Sequence, residues 1–96
     1  MIVRISSEGQ YDVDDGLHAR LNDLDDAVVA AVEASDQAGF HAAFEELLRF
    51  VRDEGAPLDG DDLEESEFIL PPADMSFVEA KDAGHFEGEG LIPDPA

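Results

Sequence analysis

Two hydrophobic periods divide the chain. Over residues 2–5 (Ile2, Val3, Arg4, Ile5) and Gln10–Val13 the period is two, which predicts a β-hairpin. Ser6-Ser7-Glu8-Gly9 supplies its turn, with Gly9 free to adopt positive φ. Val3 and Ile5 then share a face with Tyr11 and Val13, while Arg4 points outward near Asp12. From Asp14 the period becomes helical. Asp14 or Asp15 caps a helix whose apolar stripe is Leu17, Leu21, Leu24, Val28 and Val32. Ser35-Asp36 breaks it and caps a second helix with the stripe Phe40, Phe44, Leu47 and Val51, widened by Leu48 and Phe50. Gly55 followed by Pro57 stops that helix. Two such helices joined by so short a link form an antiparallel αα-hairpin.

Past Pro57 the signals weaken. Asp59-Gly60-Asp61-Asp62 reads as a loop, and Glu67–Leu70 suits a third strand ended by Pro71-Pro72. Ser76 and Glu79 have capping-box spacing for a short helix through Ala83. Residues 84–96 read as a loosely docked tail held by Phe86, Leu91 and Ile92. The expected fold class is α+β: one domain over 1–96, a small antiparallel sheet packed on the αα-hairpin, then a short C-terminal helix and tail. Phe44 is expected between hairpin and sheet.

Composition narrows the function. With 96 residues the chain buries roughly two-thirds of its unfolded surface, so one core must serve every element. An apolar share of 44% supports that core, and the lack of cysteine excludes disulfides and thiolate chemistry. No apolar run is long enough to span a bilayer, and Met1-Ile2-Val3-Arg4 does not resemble a signal peptide, so a cytoplasmic protein with no direct membrane insertion is expected. Twenty-five acidic against five basic residues give a net charge of −20, which repels phosphate backbones and argues against nucleic acid as a partner. Acid spread over a chain that keeps a core suits a halophile, because molar salt shortens the Debye length to about 3 Å.

Searches for chemistry return little. His18, His41 and His85 have no second histidine at ligand spacing; His41 and Glu45 lie one helical turn apart, but two ligands without a third are more often an exposed pair. A calcium loop starting at Asp59 requires glycine and glutamate where Glu64 and Leu70 stand. No nucleophile elbow or phosphate-cradling glycine loop occurs, and the glycine-rich stretch 84–90 is acidic. The expectation is no enzyme, no catalytic residue, no cofactor and no metal. What remains is surface. Val29 falls off the first helix's stripe, and Leu48 and Phe50 lie at opposite edges of the second's, so these three are the candidate partner-binding residues. The plainer explanation is that both helices bury broad faces.

Met1-Ile2-Val3-Arg4-Ile5, Glu8-Gly9-Gln10-Tyr11, Leu21-Asn22-Asp23-Leu24-Asp25, Ala30-Ala31-Val32-Glu33-Ala34, Leu70-Pro71-Pro72-Ala73-Asp74 and Gly90-Leu91-Ile92-Pro93 follow one another in an order that resembles the PspA-associated (PspAA) family. Its members are small α+β proteins of actinobacteria and archaea, encoded beside PspA, the coiled-coil peripheral membrane protein of the phage-shock response to envelope stress. The resemblance implies a non-enzymatic adaptor that binds a PspA-like coiled-coil protein, with membrane association only through that partner. It brings no catalytic residue with it, and the acidity suits a haloarchaeal member. The alternative is a small metal- or ligand-binding sensor built on His41, Glu45 and the Asp59–Glu67 loop.

The charge makes the first prediction. Lowering the salt lengthens the screening range toward about 10 Å, so crowded carboxylates such as Asp23, Asp25 and Asp26 repel one another across the first helix. The melting temperature is expected to rise steadily from low to molar potassium chloride; a flat profile would refute the halophile reading.

Overall fold

In the computed structural model the described residues are 1–58, 66, 68–83, 90 and 91. They form β1 (Ile2–Ile5), β2 (Gly9–Asp12), α1 (His18–Glu33), α2 (Gln37–Glu54), β3 (Ala56–Leu58), β4 (Phe68–Leu70) and α3 (Phe77–Ala83), with a 3-10 turn, Asp15–Leu17, leading into α1. The α+β class is the one expected.

The hairpin register pairs Val3 with Tyr11 and Arg4 with Gln10. Val3 and Ile5 therefore share the core face with Tyr11, and Arg4 faces away, with Asp12 on its diagonal. Ser7 (φ 67°) and Gly9 (φ 149°) turn the chain between the strands. Two features of the sheet depart from expectation. A further strand, β3, follows directly on the helix-ending Gly55 and pairs antiparallel with β2. Pro57 hid it, because proline reads as a breaker; it is tolerated here because β3 is an edge strand of the order β3-β2-β1-β4. The sheet is also mixed rather than antiparallel, since β4 pairs parallel to β1, Val3 opposite Phe68 and Ile5 opposite Leu70. No tight turn joins β4 to the hairpin, so its direction is set by the returning crossover rather than by a turn.

The two long helices meet at a compact joint. Asp36 N–H donates to the Ala31 carbonyl (2.9 Å) and Ser35 N–H to that of Val32 (3.1 Å), a Schellman pattern with Ser35 in the left-handed region at φ 54°. Asp36 then caps α2 by accepting from Gly39 N–H at 3.0 Å. At α3 the capping box forms as its spacing predicts: Glu79 N–H donates to Ser76 Oγ and Ser76 N–H to Glu79 Oε1.

One core joins both layers. Val3, Ile5 and Leu70 from the sheet are fully buried with Leu21 and Val28 of α1 and Phe40, Leu47 and Val51 of α2. Phe44 is buried as expected, stacked on Phe40 with ring centroids 5.5 Å apart. Phe40 also meets Phe77 edge to face, so it ties α3 to the hairpin. Phe40→Ala is expected to cost about 3–5 kcal/mol, a large share of the stability of so small a domain. Urea unfolding monitored by circular dichroism checks this; an unchanged midpoint would mean that Phe40 does not centre the core.

Candidate docking site

The three residues singled out as partner contacts lie in three different places. Phe50 is half-buried and lines an open groove of about 200 Å³ between α1 and α2, with Arg20 and Leu24 from α1 and Glu46, Arg49, Asp53 and Glu54 from α2. Leu48 is buried at the floor of a second depression across α2, beside His41, Phe44, Glu45, Arg52 and Ala73. Val29 is buried too, under Gly90. The expectation that Val29 and Leu48 are spare positions on the hairpin surface is therefore corrected: both helices bury broader faces than a single stripe. Of the three, Phe50 alone remains partly open.

The groove's electrostatics stand apart from the rest of the chain. Two of the protein's five basic residues, Arg20 and Arg49, line it. Their ion pairs are long and exposed: Arg20 to Glu46 at 4.0 Å and Arg49 to Glu45 at 3.8 Å. Pairs of this kind are worth little and hold neither guanidinium firmly. Leu24 and Phe50 give the groove an apolar floor, and its rim carries both the basic Arg20 and Arg49 and the acidic Glu46, Asp53 and Glu54. Such a surface can take an apolar side chain flanked by residues of both signs.

Arg52 is held much more tightly. Its guanidinium donates twice to Glu8, from Nε at 2.8 Å and from Nη2 at 2.5 Å, and the Tyr11 hydroxyl donates to the same carboxylate at 2.7 Å. The Arg52 hydrogen bond holds the Glu8 carboxyl below its ordinary range, and that carboxylate in turn pushes the Arg52 and Tyr11 ionisations up. This cluster fixes the hairpin turn to the end of α2.

Two of the three histidines, His18 and His41, lie among the described residues. His41 and Glu45 do share the depression over Leu48, and His18 packs against the Phe68 ring at 5.3 Å. Among the described residues no three histidine, cysteine or acidic side chains are grouped to hold an ion. His85 and the acidic loop 59–65 with Glu67 lie outside the described residues, as do Phe86 and Ile92 of the tail.

Asp25 is the residue that sequence reading misplaced. Taken as part of a crowded acidic surface, it is instead fully buried. A signal for this exists: Asp25 stands four residues after Leu21 and three before Val28, on the core side of α1. Its two oxygens accept from the Leu91 N–H at 3.2 and 3.0 Å.

Among the described residues no helix is long and apolar enough to cross a membrane. Residues 1–94 match a family model described as PspA-Associated protein. No curated protein and no solved structure matches the chain.

The Glu8 cluster supplies a pH test. A carboxyl depressed on folding contributes stability above its unfolded value and loses it as pH falls through the folded one. At neutral pH Glu8→Gln is expected to cost about 0.5–1 kcal/mol, the range for a partly exposed pair. The gap between the two proteins is expected to close as pH falls below the ordinary glutamate value of 4.5. Urea midpoints of both, measured at pH 7 and pH 3, decide it; a gap of constant size would mean that the ion pair contributes nothing.

Proposed function

The chain belongs to the PspA-associated protein family, and from that premise we propose that it is a non-enzymatic adaptor whose α1–α2 groove binds a PspA-like coiled-coil protein and thereby modulates the envelope-stress response. The family match over residues 1–94 is the observation that carries this reading. The groove supports it. A coiled-coil helix presents apolar residues flanked by charges of both signs, and the Leu24–Phe50 floor rimmed by Arg20 and Arg49 together with Asp53 and Glu54 is its complement. An acidic side chain of the partner pairs with Arg20 or Arg49, and a basic one with Asp53 or Glu54. The protein then reaches the membrane through its partner, from the cytoplasm.

Phe50 is the anchor in this scheme, since aromatic residues dominate binding energy at interface centres. Phe50→Ser is expected to weaken association by about 1–2 kcal/mol, roughly five- to thirtyfold. Its effect on folding is expected to be smaller than that of Phe40→Ala, because the ring is only half-buried. Arg49→Glu is expected to weaken binding as well, and more at low salt than at high. Calorimetric titration of the purified coiled-coil protein, with melting temperatures on the same samples, tests this. Binding of both variants at full strength would remove the groove from the interface.

A further inference from the structure

The groove between α1 and α2 carries its own complement. On α2, Arg49 and Asp53 stand four residues apart, one turn and about 6 Å along the axis, and both line the groove with Phe50 and Glu54. Base and acid therefore follow one another on one exposed strip, beside a half-buried aromatic ring. Neither charge is firmly held. Arg49 reaches Glu45 at 3.8 Å with both side chains exposed, and among the described residues no ion pair engages Asp53 or Glu54.

Such a strip matches itself under a two-fold rotation. When two copies of α2 lie antiparallel, with the axis at the level of Val51, residue 49 of each copy faces residue 53 of the other. A two-fold contact makes every pair twice, so both Arg49–Asp53 pairs form together. The two Phe50 side chains then lie about 3 Å apart along the helix axis, close enough for their rings to pack. A parallel arrangement in register sets like charge against like at both positions and is repulsive.

We propose that this groove joins two copies of the chain in an antiparallel dimer, in which Phe50 meets Phe50 and each Arg49 pairs with Asp53 of the other copy. A contact built on one helical strip falls short of the roughly 1,600 Å² of a standard stable interface, so the dimer is transient and open to displacement. Each copy also carries a charge of −20, and the two repel wherever salt does not screen them. Salt therefore strengthens the dimer, because relief of that repulsion outweighs the weakening of two exposed ion pairs. The regulatory consequence rests on the adaptor reading above. The second copy and the coiled-coil helix need the same groove, so the dimer holds the docking surface closed until the coiled-coil protein displaces it.

Charge exchange is the direct test, since it depends on the two-fold geometry. In sedimentation velocity at about 1 mM chain in molar potassium chloride, where screening is shortest, the wild type is expected to dimerise. Arg49→Glu or Asp53→Arg alone is expected to lower the association constant about fivefold or more. Mixing the two variants is expected to restore dimers, because each supplies the sign that the other lacks. Both positions are exposed, so melting temperatures are expected to hold. A monomeric wild type under these conditions, or variants that fail to pair when mixed, overturns the dimer. The chain has no cysteine, so Ala38→Cys labels one exposed site on α2. Energy transfer between donor- and acceptor-labelled copies is expected to appear in molar salt, to fall at about 0.1 M, and to vanish with excess coiled-coil protein. Transfer that persists with that protein bound overturns the displacement. If the dimer fails while calorimetry shows the coiled-coil protein bound through Phe50, the adaptor reading survives; if the dimer forms and no coiled-coil protein binds, that reading falls and the dimer stands.

Discussion

Burial of one broad face of α2 is the constraint from which the rest of the structure follows. Phe40, Leu47 and Val51 are fully buried, and Phe44 and Leu48 nearly so. That face is wide enough to meet the sheet, α1 and α3 together, which is what a domain with a single core requires. Phe40 illustrates this by touching Phe44 within the helix and Phe77 across to α3. Removing any one contributor would leave the others facing water on at least one side.

The same constraint explains how a net charge of −20 is tolerated. Most of the described acidic residues occupy positions the core does not claim, and the few cations are spent at specific joints. Arg52 ties the hairpin turn to α2, and Lys81 donates to Ser35 at the interhelical link. Arg20 and Arg49 are left loosely paired in one groove. Among the described acids Asp25 is the exception, taken into the interior, where its carboxylate accepts from the Leu91 N–H.

Sequence reading recovered what local periodicity controls. The helical stripes, the Asp36 cap, the Ser76–Glu79 box and the side-chain parity of the hairpin depend on neighbours within four residues or across one turn, so they are legible without tertiary knowledge. It missed what long-range assembly decides. Pro57 reads as a stop until β2 is known to lie on one side only, and the direction of β4 depends on a crossover. Val29 and Leu48 look superfluous when each helix is considered alone, yet the returning Gly90 and the width of the α2 face bury both. Phe50 was legible as an edge residue because its neighbours on α1 and α2 stop short of it. The groove arginines went unread as a pair, since Arg20 and Arg49 converge only through the hairpin.

Pro57 has a further consequence for how this protein meets others. A sheet edge ordinarily offers unpaired amides on which another chain can extend the sheet, in recognition or in aggregation. Here one outer strand is three residues long with a proline at its centre, and the other is three residues long and runs directly into Pro71-Pro72. Neither edge can template a long ladder. Main-chain recruitment of a foreign strand is thereby disfavoured on both sides, which channels association toward side chains on the helical layer and keeps an acidic chain dispersed at the high concentrations at which exposed strands begin to pair.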